Sequence, residues 1–172
     1  TPQWKRSEIH GEYLLEEALA DLNRIRKPDL TLVDGWDGSE GTAGGAKFER
    51  PAGARLILAS GDPVAIDVVS RAIMGFSAST RYLNWAIEAG LGEGDLAKID
   101  VRGMPLQQAY HRFMTSGEEL ELLQPGLRFC DQAACSGCRA IAQTAIQRFA
   151  AQKLLRPLNI VYGKENEPAL MP

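Results

Sequence analysis

The chain has few cysteines, few histidines and no excess of basic residues. Three cysteines and two histidines occur among 172 residues, and 19 Lys and Arg against 22 Asp and Glu give a net charge of 19 − 22 = −3. A balance without a basic excess disfavours nucleic-acid binding. No apolar run approaches the roughly 18 residues of a membrane-spanning segment. The composition therefore predicts a globular domain that binds neither nucleic acid nor membrane.

Common catalytic motifs are also missing from the sequence. No Ser/His/Asp order, phosphate-binding loop or Gly-x-Gly-x-x-Gly pattern occurs. The two histidines, His10 and His111, lie far apart in predicted helices. A lone histidine on a helix is more often structural or exposed than catalytic, so neither is assigned a catalytic role.

The three cysteines, Cys130, Cys135 and Cys138, all lie in the stretch FCDQAACSGC. A secreted disulfide framework would use an even number of cysteines spread along the chain. An odd, clustered set predicts a reducing compartment, and the simplest is the cytoplasm.

Apolar periodicity predicts an α/β fold with a mainly parallel sheet covered by helices, in one domain spanning residues 1–172. The stretch Gly35–Gly53 is rich in glycine and lacks periodicity, which predicts an exposed loop. Strands near Leu30–Asp34, Leu56–Ser60 and Leu158–Tyr162 are expected in one sheet, with a further strand over Lys98–Gly103. The expected helices cover Ser7–Lys27, the residues after Asp62, Thr80–Ala89, Pro105–Met114 and Cys138–Leu155.

Three stretches together resemble the family numbered 362 in the domain-of-unknown-function series. They are Lys27–Gly45 (KPDLTLVDGWDGSEGTAGG), Leu56–Gly75 (LILASGDPVAIDVVSRAIMG) and Glu88–Gly103 (EAGLGEGDLAKIDVRG). One departure is TAGG, where the family tends to have Gly-Pro. The resemblance implies an α/β fold and, because the usual N-terminal half is missing, a fragment of a longer protein. Some members carry iron–sulfur modules, so the resemblance implies an association with redox biology.

The cysteine spacing C-x4-C-x2-C is the first part of the plant-type [2Fe–2S] loop. Small residues fill the gaps, as a backbone that wraps a cluster requires. No acidic residue occurs from Gln132 to Lys164, and Cys138 is expected near a helix N-terminus. Both features favour thiolate over thiol. A plant-type cluster needs a fourth cysteine, however, and none follows Cys138.

Other interpretations of the cysteines remain open. Cys138 shares one helical stripe with Ile141, Ala145 and Phe149, so it could be a core residue. A zinc site would also need a fourth ligand, which His10 or His111 could supply. A redox-active cysteine pair is a further alternative. Three thiols within nine residues favour ligation, and an iron–sulfur cluster is the leading hypothesis.

The glycine-rich loop holds a second candidate site, formed by Asp34, Asp37 and Glu40 at intervals of three. Carboxylates at the carboxyl end of a strand could hold a divalent cation or act as acid and base. The alternative is a solvated turn in which the aspartates cap their own backbone. Nearby, Asp62 is interpreted as a helix N-cap and Asp67 as the partner of Arg71 in an i,i+4 ion pair.

The leading prediction is a redox-associated domain that binds an iron–sulfur cluster through Cys130, Cys135 and Cys138, within a cysteine loop and helix at residues 129–155. It would act with a redox partner or a small-molecule ligand that the sequence does not identify. A metal-dependent enzyme domain using the acidic loop is one alternative. An accessory domain with structural cysteines is another.

Overall fold

The computed structural model describes residues 15–41, 50–76, 80–123, 125–130, 141–142, 144–146, 148–149, 152–154 and 156–161. The chain divides into two compact units. The first contains Thr1–Gly38 and Gly53–Arg112, and the second contains Ser39–Ala52 and Phe113–Pro172. Within the described residues, no helix has the length and apolar character needed to cross a bilayer.

The first unit packs helices against a two-stranded antiparallel sheet. Val33 in β1 lies opposite Leu58 in β2, and alternate residues of both strands are half-buried. In chain order the elements are α1 (Leu15–Ile25), β1 (Thr31–Gly35), β2 (Leu56–Ser60), α2 (Pro63–Ile73), α3 (Arg81–Glu88), a 3-10 turn (Leu96–Lys98) and α4 (Leu106–Ala109).

Helix α2 is the central helix of this unit, and its sequence defines both of its ends. Asp62 caps the N-terminus in an extended conformation, and Pro63 occupies the first helical position, where its missing N–H is not needed. The helix stops at Met74, and the chain turns at Gly75 with φ +77°. A positive φ is readily adopted by glycine, which lacks a Cβ.

Two apolar clusters form the core of the first unit, one on each side of α2. On one side, Val64 packs with residues of α1, α3 and the following turn; the buried members are Ala20, Val64, Leu83, Ala86 and Leu91. On the other side, Val69 and Ile73 pack with Ala109 and with the half-buried face of β2. Helix α2 is therefore held from both sides, which fixes the position of its N-terminus.

The second unit contains α5 (Ser116–Leu123) and a parallel pair of strands, β3 (Leu127–Cys130) and β4 (Leu158–Val161). Leu127 and Ile146 are buried together, with Ile160 packed against them. Residues 141–142, 144–146 and 148–149 are helical. They fall within the helix predicted over Cys138–Leu155.

The α/β class is confirmed, but a mainly parallel sheet is not. Strands β1 and β2 pair antiparallel, and β4 pairs with β3 rather than with the other two predicted strands. Parallel neighbours require a long crossover, usually a helix. The stretch between β1 and β2 has no helical periodicity, so an antiparallel pair is the natural outcome. The single-domain interpretation stays a prediction.

Two smaller predictions are wrong. The expected strand over Lys98–Gly103 is instead the end of a 3-10 turn followed by irregular backbone. The Asp95 side chain accepts a hydrogen bond from Ala97 N and starts that turn, and Gly103 has φ +91°. The helix expected over Pro105–Met114 has a single turn, α4, and the N–H of His111 just beyond it donates to the Ile73 carbonyl at 2.8 Å.

Candidate functional site

Asp34 and Asp37, the two aspartates of the predicted acidic site, are exposed at the end of β1. Asp34 Oδ1 accepts a hydrogen bond of 3.0 Å from the backbone N–H of Trp36. This local bond is typical of a turn in which an aspartate caps its own backbone. It agrees with the structural alternative for Asp34, and both carboxylates remain accessible to solvent.

Glu40, the third acidic residue, lies in the second unit and joins two segments of it. Its Oε2 accepts a 2.8 Å hydrogen bond from Met114 N, and its Oε1 lies 3.6 Å from Arg50 Nε. The backbone N–H of Glu40 donates to the Arg50 carbonyl at 3.1 Å, next to a bridge between Ser39 and Pro51. These contacts give Glu40 a structural role: it closes the base of the glycine-rich loop.

Arg50 also reaches a buried carboxylate. Its Nη1 lies 2.8 Å from Oε1 of Glu119, a residue only 8% exposed. Gly41 has φ +67°, and a Cβ at this position would collide with the same Glu119 carboxylate. The sequence alone does not identify Arg50 or Glu119 as site residues. The one local signal is an arginine directly before Pro51, at the end of the glycine-rich stretch.

No set of three or more His, Cys, Asp or Glu side chains in the described part of the chain is placed to hold a metal ion. The described residues include Asp34, Asp37 and Glu40. A cation site at these three carboxylates stays a prediction.

Asp62 connects two of the sequence stretches that resemble a family. Its Oδ1 accepts from the N–H groups of Val64 and Ala65 at 2.9 and 3.0 Å, which caps α2. Its Oδ2 accepts from the N–H of Glu93 at 2.9 Å, in the sequence GLGEG. Gly92 is needed beside it, because a Cβ there would collide with the Asp62 carboxylate. The predicted N-cap is confirmed, and the link to the second stretch is new.

The environment of Asp62 favours its ionised form. Burial alone would raise the pKa of this carboxyl. The hydrogen bonds from Ala65, Glu93 and Val64, together with the charge of Lys27, outweigh burial and lower the pKa below its usual value. At neutral pH Asp62 is therefore an anion held by three backbone donors.

Asp67 has the opposite shift. Burial raises the pKa of its carboxyl, and a hydrogen bond with Tyr82 and the charge of Arg71 only partly oppose this. Burial likewise raises the pKa of the Tyr82 hydroxyl, and the negative charge of Asp67 adds to the effect. The attraction from Arg71 agrees with the predicted i,i+4 pair. Tyr82, 15 positions further along the chain, was not anticipated as a partner.

Only one residue of the cysteine motif lies in the described part of the chain. Cys130 is the last residue of β3, and in the parallel pair it stands opposite Val161 of β4. Cys135 and Cys138 lie outside the described residues. The cysteine motif therefore starts at the carboxyl end of a parallel strand.

His111, one of the two histidines considered as a fourth ligand, is half-buried in the first unit. His10 lies outside the described residues.

Comparison with known proteins finds one family model that matches the N-terminal part of the chain. No curated protein and no solved structure matches the chain. Residues 1–72, which contain α1, β1, β2 and most of α2, match the family described as "Domain of unknown function (DUF362)", and this match confirms the family resemblance over those residues.

Proposed function

We propose that the chain is a redox-associated domain that binds an iron–sulfur cluster through Cys130, Cys135 and Cys138. The observation that carries the proposal is the C-x4-C-x2-C motif, which holds every cysteine of the chain and begins at the carboxyl end of β3. Three thiolates are soft ligands of the kind that iron–sulfur clusters require.

The surrounding charge supports this donor set. Glu121 pairs with Arg128 at 3.2 Å, and after Asp131, which adjoins Cys130, no acidic residue occurs between Gln132 and Lys164. Arg148, Lys153 and Arg156 in this stretch are exposed cations. Positive charge favours the thiolate form and suits an anionic iron–thiolate cluster.

The donor set fits three of the four positions of a plant-type cluster. The fourth ligand would come from outside these 172 residues, because they contain only three cysteines. When bound, the cluster would carry single electrons, and the domain would exchange them with a redox partner in the cytoplasm. The three cysteines would hold it, and the neighbouring cations would stabilise its negative charge.

The test is metal analysis of the 172-residue chain after anaerobic reconstitution with iron and sulfide. We expect iron and acid-labile sulfide in a 1:1 ratio, with visible absorbance that is lost in Cys135→Ser. Ser136→Ala is the matched control, because it changes a neighbouring side chain and keeps all three thiols. Unchanged iron content in Cys135→Ser would exclude this cysteine as a ligand. Zinc without sulfide would instead support the zinc interpretation.

The alternative of a divalent-cation enzyme at Asp34, Asp37 and Glu40 has weaker support. Two of these carboxylates are exposed and accessible, but Glu40 already interacts with Arg50 and with Met114 N. The same metal analysis distinguishes it, because a bound divalent cation would survive Cys135→Ser. A chain that binds neither iron nor another metal would support the accessory-domain alternative.

A further inference from the structure

The first unit contains a cavity of about 480 Å³ between α2, α3 and the 3-10 turn. Its wall is mostly apolar, with Phe76, Leu83, Ile87 and Leu96 among the lining residues. Pockets of 300–1,000 Å³ with an apolar wall and a few polar groups are typical of small-molecule sites. The volume suits a ligand of one or two fused rings.

Two polar side chains line this apolar cavity. Arg71 is the one charged residue among the described residues that form the wall, and Tyr110 contributes a phenol. Arg71 also interacts electrostatically with Asp67. A guanidinium has five N–H donors in a planar fork, so it can hold an intramolecular partner and a ligand carboxylate together.

Glycines from two of the family-like stretches shape the cavity. Gly75 ends the stretch around α2, and a Cβ on it would come within 3.0 Å of the Tyr110 hydroxyl. Gly94 belongs to GLGEG, and a Cβ there would collide with the side chain of Ile87. Both glycines therefore allow the walls to approach closely without filling the space between them. None of these cavity residues belongs to the cysteine motif.

We propose that this cavity binds a small aromatic carboxylate. The ring would lie against the apolar wall formed by Phe76, Leu83 and Ile87. The carboxylate would accept hydrogen bonds from the Arg71 guanidinium and from the Tyr110 hydroxyl. A planar fork and a phenol are suited to a planar anion, whereas a neutral ligand of the same shape would gain only the apolar contacts.

The test uses two probes of matched shape, 2-naphthoate and 2-naphthamide, titrated calorimetrically into the 172-residue chain. We expect saturable binding of the anion and at least tenfold weaker binding of the neutral amide. Arg71→Gln should weaken 2-naphthoate at least tenfold and leave 2-naphthamide unchanged. Arg102→Gln is the matched control: this exposed arginine pairs with Asp100, and it should not alter either affinity.

A second variant tests the cavity itself. Leu96 is 38% exposed, so Leu96→Trp can fill the mouth without disturbing a buried position. It should weaken both probes at least tenfold, with an unchanged circular dichroism spectrum. Equal affinity for the two probes, no saturable binding of 2-naphthoate, or binding unaffected by Leu96→Trp would overturn the proposal. If Arg71→Gln does not fold, the proposal is still tested by the ratio of the 2-naphthoate and 2-naphthamide affinities of the wild-type chain and by Leu96→Trp.

Discussion

The carboxylate of Asp62 accepts a 2.9 Å hydrogen bond from the backbone N–H of Glu93, 31 residues further along the chain. The same carboxylate caps α2 through Val64 and Ala65. One side chain thus fixes the start of a core helix and the position of the GLGEG turn. Since that turn contributes Gly94 to the cavity wall, Asp62 also helps to define the proposed binding pocket.

Asp62→Asn should destabilise the chain by about 1–2 kcal/mol at pH 7. Asparagine retains one oxygen for the helix cap. Its amide nitrogen would face the N–H of Glu93, however, and a donor cannot accept that hydrogen bond. Urea unfolding measures the change. Asp95→Asn is the control, because Asp95 also caps a turn through Ala97 N but is exposed, and its effect should stay below about 0.5 kcal/mol.

The stabilisation from Asp62 should also depend on pH. Its pKa is lowered in the folded chain, so the folded state holds the proton less tightly than the unfolded state does. The contribution is fully present above the unfolded value of about 4 and is lost as pH falls through the folded value. Asp62→Asn should therefore flatten the stability curve below about pH 4. If Asp62→Asn leaves the dependence of stability on pH unchanged below about pH 4, the lowered pKa of Asp62 is contradicted.

Gly92→Ala tests the close approach at the same site. A Cβ at position 92 would collide with the Asp62 carboxylate, so we expect a loss of about 1–3 kcal/mol in thermal unfolding. Gly61→Ala is the control, because its Cβ would make only an ordinary 3.5 Å contact with the Asp29 carbonyl.

A double-mutant cycle gives the sharper result for Gly92. When Asp62 is already alanine, the group that the new methyl would meet is gone. Gly92→Ala should then cost much less than it does in the wild-type chain. Additive effects of the two substitutions would mean that Gly92 is required for another reason.

The sequence predicts interactions between residues that are close along the chain, and it does not predict those between residues far apart along it. The cap at Asp62 was predictable, because it depends on residues two and three positions away and on the adjacent Pro63. The bond to Glu93 was not, since nothing local in the sequence selects a partner 31 residues away. The Arg50–Glu119 pair spans 69 residues and was missed for the same reason.

Strand pairing shows the same limit. The apolar run at Leu158–Val161 identified a strand, but its partner depends on which other strand packs beside it. The predicted acidic site shows that side-chain partners are limited in the same way. Its spacing predicts a site at Asp34, Asp37 and Glu40, but it does not predict that Glu40 Oε1 lies 3.6 Å from the Nε of an arginine ten residues away.

Tyr82→Phe should raise the pKa of Asp67 further above its usual value. The hydrogen bond with Tyr82 stabilises the ionised carboxylate and partly opposes burial. Removing the hydroxyl leaves burial opposed mainly by the charge of Arg71. Carboxyl carbon NMR titration measures the shift. Tyr110→Phe is the control, because Tyr110 is largely exposed and is not among the groups that shift Asp67.

The raised pKa of Asp67 also predicts a pH effect of opposite sign to that of Asp62. The folded state binds the Asp67 proton more tightly than the unfolded state does, so the contribution of Asp67 to stability falls as pH rises from about 4 through the folded pKa. Tyr82→Phe should extend the pH range over which stability falls to higher pH, because it raises the folded pKa of Asp67 further. An unchanged Asp67 titration would show that the Tyr82 hydroxyl does not stabilise the carboxylate.

Arg50→Gln should destabilise the second unit by about 2 kcal/mol, because Arg50 interacts with two carboxylates at once. Glu119 is buried, so the loss of its arginine removes a charge-assisted bond where water cannot replace it. Arg50 itself is partly exposed, which keeps the expected effect below that of a fully buried pair. Arg102→Gln, at an exposed pair with Asp100, should cost less than about 0.5 kcal/mol in the same urea titration.

A second substitution shows whether the charge or the geometry of Arg50 matters. Arg50→Lys keeps the positive charge, but a single ammonium group replaces a fork whose Nε and Nη1 reach Glu40 and Glu119 separately. We expect Arg50→Lys to recover less than half of the stability that Arg50→Gln loses. Full recovery would mean that charge alone closes the base of the glycine-rich loop.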